Sequence, residues 1–382
     1  MAVNIHNVRF ISSKGNLPAP SGGIITLVAY FTYYFTETVD LTGDRFVCGE
    51  NTTILGFSSE NSRIKSTGLS AGTALVTSEW SLSLRNIGIE HGTALDLDAN
   101  ANQSLSWFGI NFDGCATVGT IKNYSNIIMS DCAFVNSQGL TFDGTIATIG
   151  FINTIFDNRT SGTSIIIPAT ATITRRIRII YSAFISLAGE TALNISTSAS
   201  IPSEGYILDT INFSGGGTYT TGVQYDDNKS LFVNCKGVNN SGNIGQYYMT
   251  GNATATTIGS INVFVKAAGT TTAGSFIEKF THTDNRLTYN GAFTGFYKVT
   301  AIVTLTSGNN NVVQLRVGVN GTTAISSTSQ ATTSGAGKSE NVTCGDIVSL
   351  STNDYIEIFA ANTTGANNIT VSEINVILER LN

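Results

Sequence analysis

The sequence predicts an all-β chain: a right-handed single-stranded parallel β-helix followed by an antiparallel sandwich. Three observations predict it. Charged residues are 12% of the 382 positions, Gly is frequent at 39 and Pro scarce at 4, where a globular chain carries roughly 25% charge. That composition suits short strands joined by turns. An apolar pair also recurs with a period of one coil in the middle of the chain, and beyond Ile261 the repeat gives way to plain two-residue alternation.

The repeat carries most of the information. Its anchors are Ile89, Phe112, Phe134, Phe156, Phe184, Phe213 and Val238, spaced 23, 22, 22, 28, 29 and 25 residues apart. Five positions before each stand Leu84, Trp107, Met129, Phe151, Ile179, Leu208 and Val233, all apolar. After the anchors come turns such as Asn136-Ser137-Gln138-Gly139 and Ser214-Gly215-Gly216-Gly217, and then a second alternating run: Leu95/Leu97, Leu140/Phe142, Ile165/Ile167, Leu193/Ile195 and Val223/Tyr225. Alternation marks strands. Several strands in each repeat of 22 to 29 residues make each repeat one turn of a coil that buries its apolar face only against its neighbours. The two long repeats hold their extra residues at Pro168–Thr174 and Ser196–Ser203. Because Pro cannot donate to a ladder, these segments are expected to leave the coil.

The N-terminal third reads the same way with a looser period. Short alternating runs at Ile25/Leu27, Tyr33/Phe35, Val39/Leu41 and Ile54 are separated by Gly22-Gly23, Thr42-Gly43 and Gly49-Glu50-Asn51. The stretch from Gly23-Ile24-Ile25-Thr26-Leu27 through Thr38–Gly43 to Thr52–Gly56 resembles the opening coils of pectate-lyase-like β-helices. Such motifs imply a fold and leave the chemistry open. The expected division is a short attachment segment over 1–22, the parallel β-helix over 23–246, a connector and first strand over 247–284, and the sandwich over 285–382.

In the last part, Val299, Ala301, Val303 and Leu305 alternate, Gly308-Asn309-Asn310 turns, and Val313 to Val319 alternate into the hairpin signal Asn320-Gly321. Further strands are expected at Ile347–Leu350, Tyr355–Phe359, Ile369–Val371 and Ile374–Leu378. The segments Tyr289-Asn290-Gly291, Phe296–Thr300, Asn320-Gly321-Thr322 and Leu350–Ile358 together resemble a jelly roll of the C1q/TNF type, which also recurs at the ends of phage tail proteins. The resemblance implies a homotrimer, since members pack three sandwiches around an axis.

Composition bounds the partners. A net charge of −6, with no basic run longer than Arg175-Arg176, provides nothing to neutralise phosphates, so nucleic acid is excluded as a partner. The apolar stretch Ile24–Phe35 is too short for the roughly 20 residues that span a bilayer, so no membrane insertion is expected. The start Met1–His6 lacks a basic and then apolar leader, and the chain is expected to be completed in a cytoplasm. Five scattered cysteines (Cys48, Cys115, Cys132, Cys235, Cys344), none in a CxxC pair, point to buried free thiols rather than disulfides or zinc.

A chemical site is harder to find. Asp113 and Asp157 each follow an anchor two coils apart, so strand stacking puts them about 9.6 Å from each other, near the upper end of an inverting glycosidase pair at about 6.5–9.5 Å. Acidic residues in turns after strands are commonly solvated or bond local backbone amides, and that is the preferred reading of both. Asp131, Asp143, Glu190 and Asp209 fall in other columns, and His6, His91 and His282 lie in no metal-ligand spacing, so no metal and no cofactor is expected. Tyr219, Tyr225, Tyr247 and Tyr248 are candidate sugar-stacking platforms, with core packing as their alternative.

A β-helix followed by such a sandwich is similar to phage tail spikes, tail fibres and related virion appendages. That resemblance implies a trimeric structural protein of the virion. It would be held to other particle proteins through its N-terminus and would touch a host surface glycan or protein. The alternatives are a head fibre or decoration protein, a polysaccharide-cleaving glycosidase or lyase, and a cellular C1q-like adhesin.

Overall fold

The computed structural model describes residues 7–100, 102–157, 161–225, 227, 229–291 and 294–381. The chain divides into two compact units between Asn240 and Ser241. His6 and the rest of 1–6 lie outside the described residues.

In the first unit the chain winds through three parallel sheets of ten, eight and nine strands, in which successive neighbours are three strands apart in the chain, save that Asn7–Ile11 pairs with the second strand after it. One coil shows the plan: Ser104–Phe108 lies in the first sheet, Asn111–Asp113 in the second and Thr117–Lys122 in the third. Each strand then stacks on its counterpart one coil on, as Trp107 does on Met129, Phe112 on Phe134 and Ile121 on Phe142. The result is the expected parallel β-helix.

The anchor column is continuous from Ile89 through Phe112, Phe134, Phe156 and Phe184 to Phe213. Its phenylalanine rings stack nearly parallel, with centroids 4.9, 4.4, 4.6 and 5.3 Å apart. Strand stacking at about 4.8 Å imposes that spacing, and aromatic pairs add about 0.5–1.5 kcal/mol each beyond area burial. The preceding column runs in the same way from Leu84 to Leu208. Both columns are buried in one core.

A third column was not anticipated. Three positions before each anchor from Ile89 to Phe213, Asn86, Gly109, Asp131, Asn153, Tyr181 and Thr210, and four before Val238, Asn234, all have φ between 48° and 65°. Each of the first six donates its backbone N–H to the coil above, as Asn86 does to the Phe108 carbonyl. This left-handed residue turns the chain from the first sheet into the second without breaking the ladder. Asn, Asp and Gly tolerate the conformation best.

The last coil corrects the sequence reading by one residue. Leu208 pairs with Phe232, not Val233, and Phe232 is 1% exposed against 36% for Val233. The bridge from Asn212 to Lys236 likewise puts Gly237 rather than Val238 over Phe213, where an added Cβ would stand 2.6 Å from the Phe213 carbonyl oxygen. In the third sheet, Leu193 and Ile195 pair with Thr220 and Gly222, not with Val223 and Tyr225. Hydrophobicity could not separate adjacent apolar residues, whereas Asn234 in the turn column does.

Two further expectations change. Thr172 and Ile173 pair with Thr145 and Ile146 in the first sheet, and Ala171, Ile173, Ala199 and Ile201 are buried in the common core. The proline-containing insertions therefore lengthen the coil instead of leaving it, because each supplies its own inward apolar residues. At the N-terminus, Asn7–Ile11 pairs in parallel with Phe31–Phe35, and Ile11 and Leu17 join the core. Among the described residues the β-helix thus reaches back to residue 7, not 23, inside the segment expected to be a separate attachment piece.

The second unit includes residues expected to end the β-helix or to link it onward. Ile244–Met249 pairs along its length with the C-terminal strand, and so does Ala255–Thr256. In chain order the eight principal strands are Ile244–Met249, Arg286–Tyr289, Gly295–Thr306, Val312–Val319, Ser329–Thr332, Glu340–Leu350, Tyr355–Asn362 and Ile369–Arg380. One sheet orders them first, eighth, third, sixth, and the other second, seventh, fourth, fifth. That interleaving is a jelly roll. Inward residues of both sheets, such as Val299, Ala301, Val313, Leu315, Ile358 and Val376, fill one core.

Asn320 and Gly321, at φ 52° and 77°, form the expected hairpin between Val319 and Thr322. The turn at Gly308–Asn310 instead carries the chain from one sheet to the other. The expected strands Ile369–Val371 and Ile374–Leu378 are one strand with a bulge, since Thr304 pairs with Glu373 but Leu305 with Val371. Ser372 is the extra residue.

Phe156→Ala should cost about 3–5 kcal/mol, the penalty for emptying a packed aromatic site, whereas Phe57→Ala, at a side chain 68% exposed, should change stability by about 0.5 kcal/mol or less. Denaturant unfolding after long equilibration measures both. Equal losses would contradict the stacked column.

Candidate functional site

The carboxylate pair proves to be in register. Asp113 pairs with Val135 and Val135 with Asp157, on the outer side of the second sheet. Asp113 Oδ2 accepts a bond of 2.7 Å from Arg63 Nη1, which also lies 3.6 Å from Glu90. Gly88 makes this possible, because a Cβ there would meet Arg63 Cγ at 2.6 Å. Arg63 can therefore lie across two coils to reach Asp113. The first carboxylate of the pair is engaged in an ion pair, and the bulk of Val135 separates it from the second. The arrangement ties coils together.

The other acidic candidates are scattered. Asp131 sits in the left-handed turn column and accepts a bond from Asn153. Asp143 accepts from the Thr170 hydroxyl and the Gly144 N–H, and these bonds, the hydroxyl first, hold its carboxyl below the ordinary value. His91 Nε2 lies 3.2 and 3.1 Å from the carbonyls of Ser70 and Thr73. His282 bonds Thr271 in the sandwich. Among the described residues no group of three His, Cys, Asp or Glu side chains is placed to hold a metal ion.

The four tyrosines part company. Tyr247 is a correction: it is 1% exposed in the sandwich core, and burial pushes its phenol well up, so it offers no face to a sugar. Tyr219 packs its ring 5.4 Å from Phe213 and bonds the Gly215 carbonyl, and both it and Tyr225 lean on the β-helix core. Tyr248 alone is exposed, beside Gln246, Ile302 and Glu373 in a shallow groove.

A larger groove, of about 400 Å³, was missed by the sequence reading. It runs along the outer side of the first sheet and is lined by Tyr30, Asn51, Thr53, Ser81, Ser83, Ser104 and Ser106. Thr53, Ser83 and Ser106 stand one above another in the ladder. Tyr30 closes one end in a left-handed conformation at φ 62°, and its hydrogen bond to Glu50 raises its phenol above the ordinary value. The lining offers hydroxyls and an amide and no charged side chain. Beside it rises a column of large apolar side chains, Phe10, Tyr34, Leu55, Phe108, Ile152 and Ile180, interrupted by Arg85 and Ser130. Outward positions of small residues alternating with large ones were legible in principle. Hydrophobic periodicity marks the inward columns alone.

The sandwich has its own apolar outer face. On the sheet that contains Gly295–Thr306, Phe296 is 64% exposed, Ile302 51% and Ile347 62%. Its other sheet carries a charge cluster in which buried Glu357 accepts from Arg286 and Lys266, both at 2.8 Å, while the Arg286 guanidinium lies 3.9 Å over the Tyr355 ring.

No protein-family model matches the chain, and no curated protein matches it. Solved structures similar to part of it include the Eiger TNF of S. frugiperda, at 14% identity over 37% of this chain and 93% of that one, with a TM-score of 0.27. Murine APRIL at pH 5.0 is similar at 8% identity over 36% and 98%, with a TM-score of 0.26. The vertex protein P5 of PRD1 is similar at 13% identity over 36% and 96%, with a TM-score of 0.23. The fold places the chain among all-β proteins that join a parallel β-helix to an antiparallel jelly roll.

All five cysteines are buried and free, and burial pushes the thiols of Cys48, Cys132 and Cys344 up to about 12. A raised thiol favours the neutral form in the folded state, so its contribution to stability is complete below the unfolded value near 9 and is lost as pH climbs toward 12. A thiol reagent at pH 8 should therefore label none of the five in the native chain and all five in denaturant. The denaturant midpoint should also fall between pH 8 and pH 11.

Proposed function

We propose that this chain is a non-enzymatic structural appendage of a bacteriophage particle, a homotrimer of the tail spike or tail fibre kind that contacts the host surface. The observation that carries the reading is the sandwich face bearing Phe296, Ile302 and Ile347. Three large apolar side chains grouped on one sheet and left in water by a single copy mark an interaction surface. The resemblance to C1q/TNF jelly rolls supplies the occupant, two further copies. The parallel β-helix supports the same reading, since extended parallel pairing unfolds slowly and gives a particle component kinetic durability.

In this reading the N-terminal end joins other virion proteins and the protein is made in the host cytoplasm. A host glycan or protein is the contacted partner. The polysaccharide-cleaving alternative loses ground because Arg63 occupies Asp113. Attachment to the head rather than the tail is the alternative that stays open to a direct test.

Light scattering of the purified chain should give three times the monomer mass of 40.3 kDa. Phe296→Asp combined with Ile347→Asp should reduce the trimer's stability by at least tenfold in dissociation constant. A wild-type monomer would overturn the reading. Gold-labelled antibody against residues 285–382 should mark the tail of the particle; label on the capsid would assign the protein to the head instead.

A further inference from the structure

Arg175-Arg176 is the longest basic run in a chain of net charge −6, and Arg178 follows two residues later on the same strand, Thr172–Ile180 of the first sheet. A bulge explains how all three come to be exposed. Ile146 pairs with Ile173 but Thr148 with Arg176, so Thr174 and Arg175 stand opposite the single residue Ala147, and the inward alternation resumes at Ile177 and Ile179. Among the described residues Arg175 and Arg176 form no ion pair, and Arg178 has only Asp209, at 3.9 Å. The preceding coil offers nothing tall beside them, since Arg176 pairs with Thr148 and Arg178 with Gly150. Three residues further on stands Tyr181, 64% exposed, with a φ of 50° that a bulky side chain rarely adopts. Its counterparts in the turn column are Asn, Asp, Gly and Thr, so the turn itself does not call for a ring.

We infer that Arg176, Arg178 and Tyr181 form a binding site for an acidic polysaccharide, one whose repeat carries a carboxylate. Arg176 and Arg178 project from the same side of the strand about 6.6 Å apart, and with Tyr181 they span roughly 16 Å. That line is one side chain wide, which fits a chain-like ligand rather than a globular face. Each guanidinium presents a planar fork to a carboxylate, and the tyrosine offers an apolar ring face to a sugar. A uronate-type repeat brings both groups together, while Arg175 adds positive charge beside them. Nucleic acid fits less well. It stacks successive bases on several rings and tracks its backbone along a longer basic groove, whereas the positions flanking Arg178 in its column are Gly150, Ile128 and Ile207. Holding Tyr181 in a left-handed conformation costs folding free energy, and the site gives that strain a use. An acidic glycan of this kind is the host-surface partner of the proposed function; the setting rests on that reading, the site does not.

Binding of the full-length chain to polygalacturonate, measured by calorimetry at low salt, tests the site, with neutral dextran and oligo(dT) as comparisons. Polygalacturonate should bind and should weaken as salt rises; dextran should not bind. Arg176→Gln combined with Arg178→Gln should lower the affinity about tenfold or more, since each change removes a charge-assisted bond. Arg85→Gln, on the same sheet, should leave it unchanged. Tyr181→Asn gives the sharper result: affinity should fall about fivefold, while the denaturant midpoint stays level or rises, because Asn accepts the left-handed turn more readily. A Tyr181→Asn chain that loses stability together with binding would assign the ring to folding and overturn the inference. So would no binding to polygalacturonate, equal binding by the double-arginine variant, or tighter binding to oligo(dT). None of these outcomes alters the mass or the place on the particle by which the proposed function is tested.

Discussion

One constraint governs the first unit: parallel pairing repeats every coil at the same height, so whatever stands at one position inside the coil must sit on its counterpart above and below. The phenylalanine stack from Phe112 to Phe213 is the fullest expression of that rule, with ring spacings set by the backbone ladder. No coil could bury its own anchor alone. Cooperativity therefore runs along the axis, and the insertions after Ile167 and Ile195 are tolerated because they bring buried partners of their own.

The same repetition acts on the outside. A side chain that is large on one coil makes a bump; the same kind repeated makes a ridge. On the first sheet this produces the outward run Phe10, Tyr34 and Leu55 beside Thr32, Thr53, Ser83 and Ser106, a low run that ends at Ile128, while the second sheet carries the Arg63–Asp113 pair. In the sandwich, alternation along Gly295–Thr306 buries Tyr297, Val299, Ala301 and Val303 and leaves Phe296 and Ile302 outside. The exposed Phe296 and Ile302 underlie the assembly proposed for the sandwich.

Much of this was legible in the residues. The anchors Phe112 through Phe213 and their partners five positions earlier were readable because period and hydrophobicity agree. The final coil was misread by one because Phe232 and Val233 are both apolar, and only the left-handed turn at Asn234 breaks the tie. The strand Asn7–Ile11 escaped notice because its partner is Phe31–Phe35, about one coil away and without a repeat to announce it. Among the candidate site residues, Asp113 and Asp157 were placed correctly in one column, but the arginine that claims Asp113 comes from 50 residues earlier in the chain.

Sequence alone determined the strand-rich architecture and the inward columns as far as Phe213, because these depend on periodicities local to a coil or a strand; the change of pattern it put near Ile261 falls at 240/241. The tertiary structure decided which turn column sets the register, which insertions remain inside the coil, and that Tyr247 is core rather than platform. Those properties depend on which distant segments become neighbours, and local pattern does not encode the outer relief that stacking builds from them.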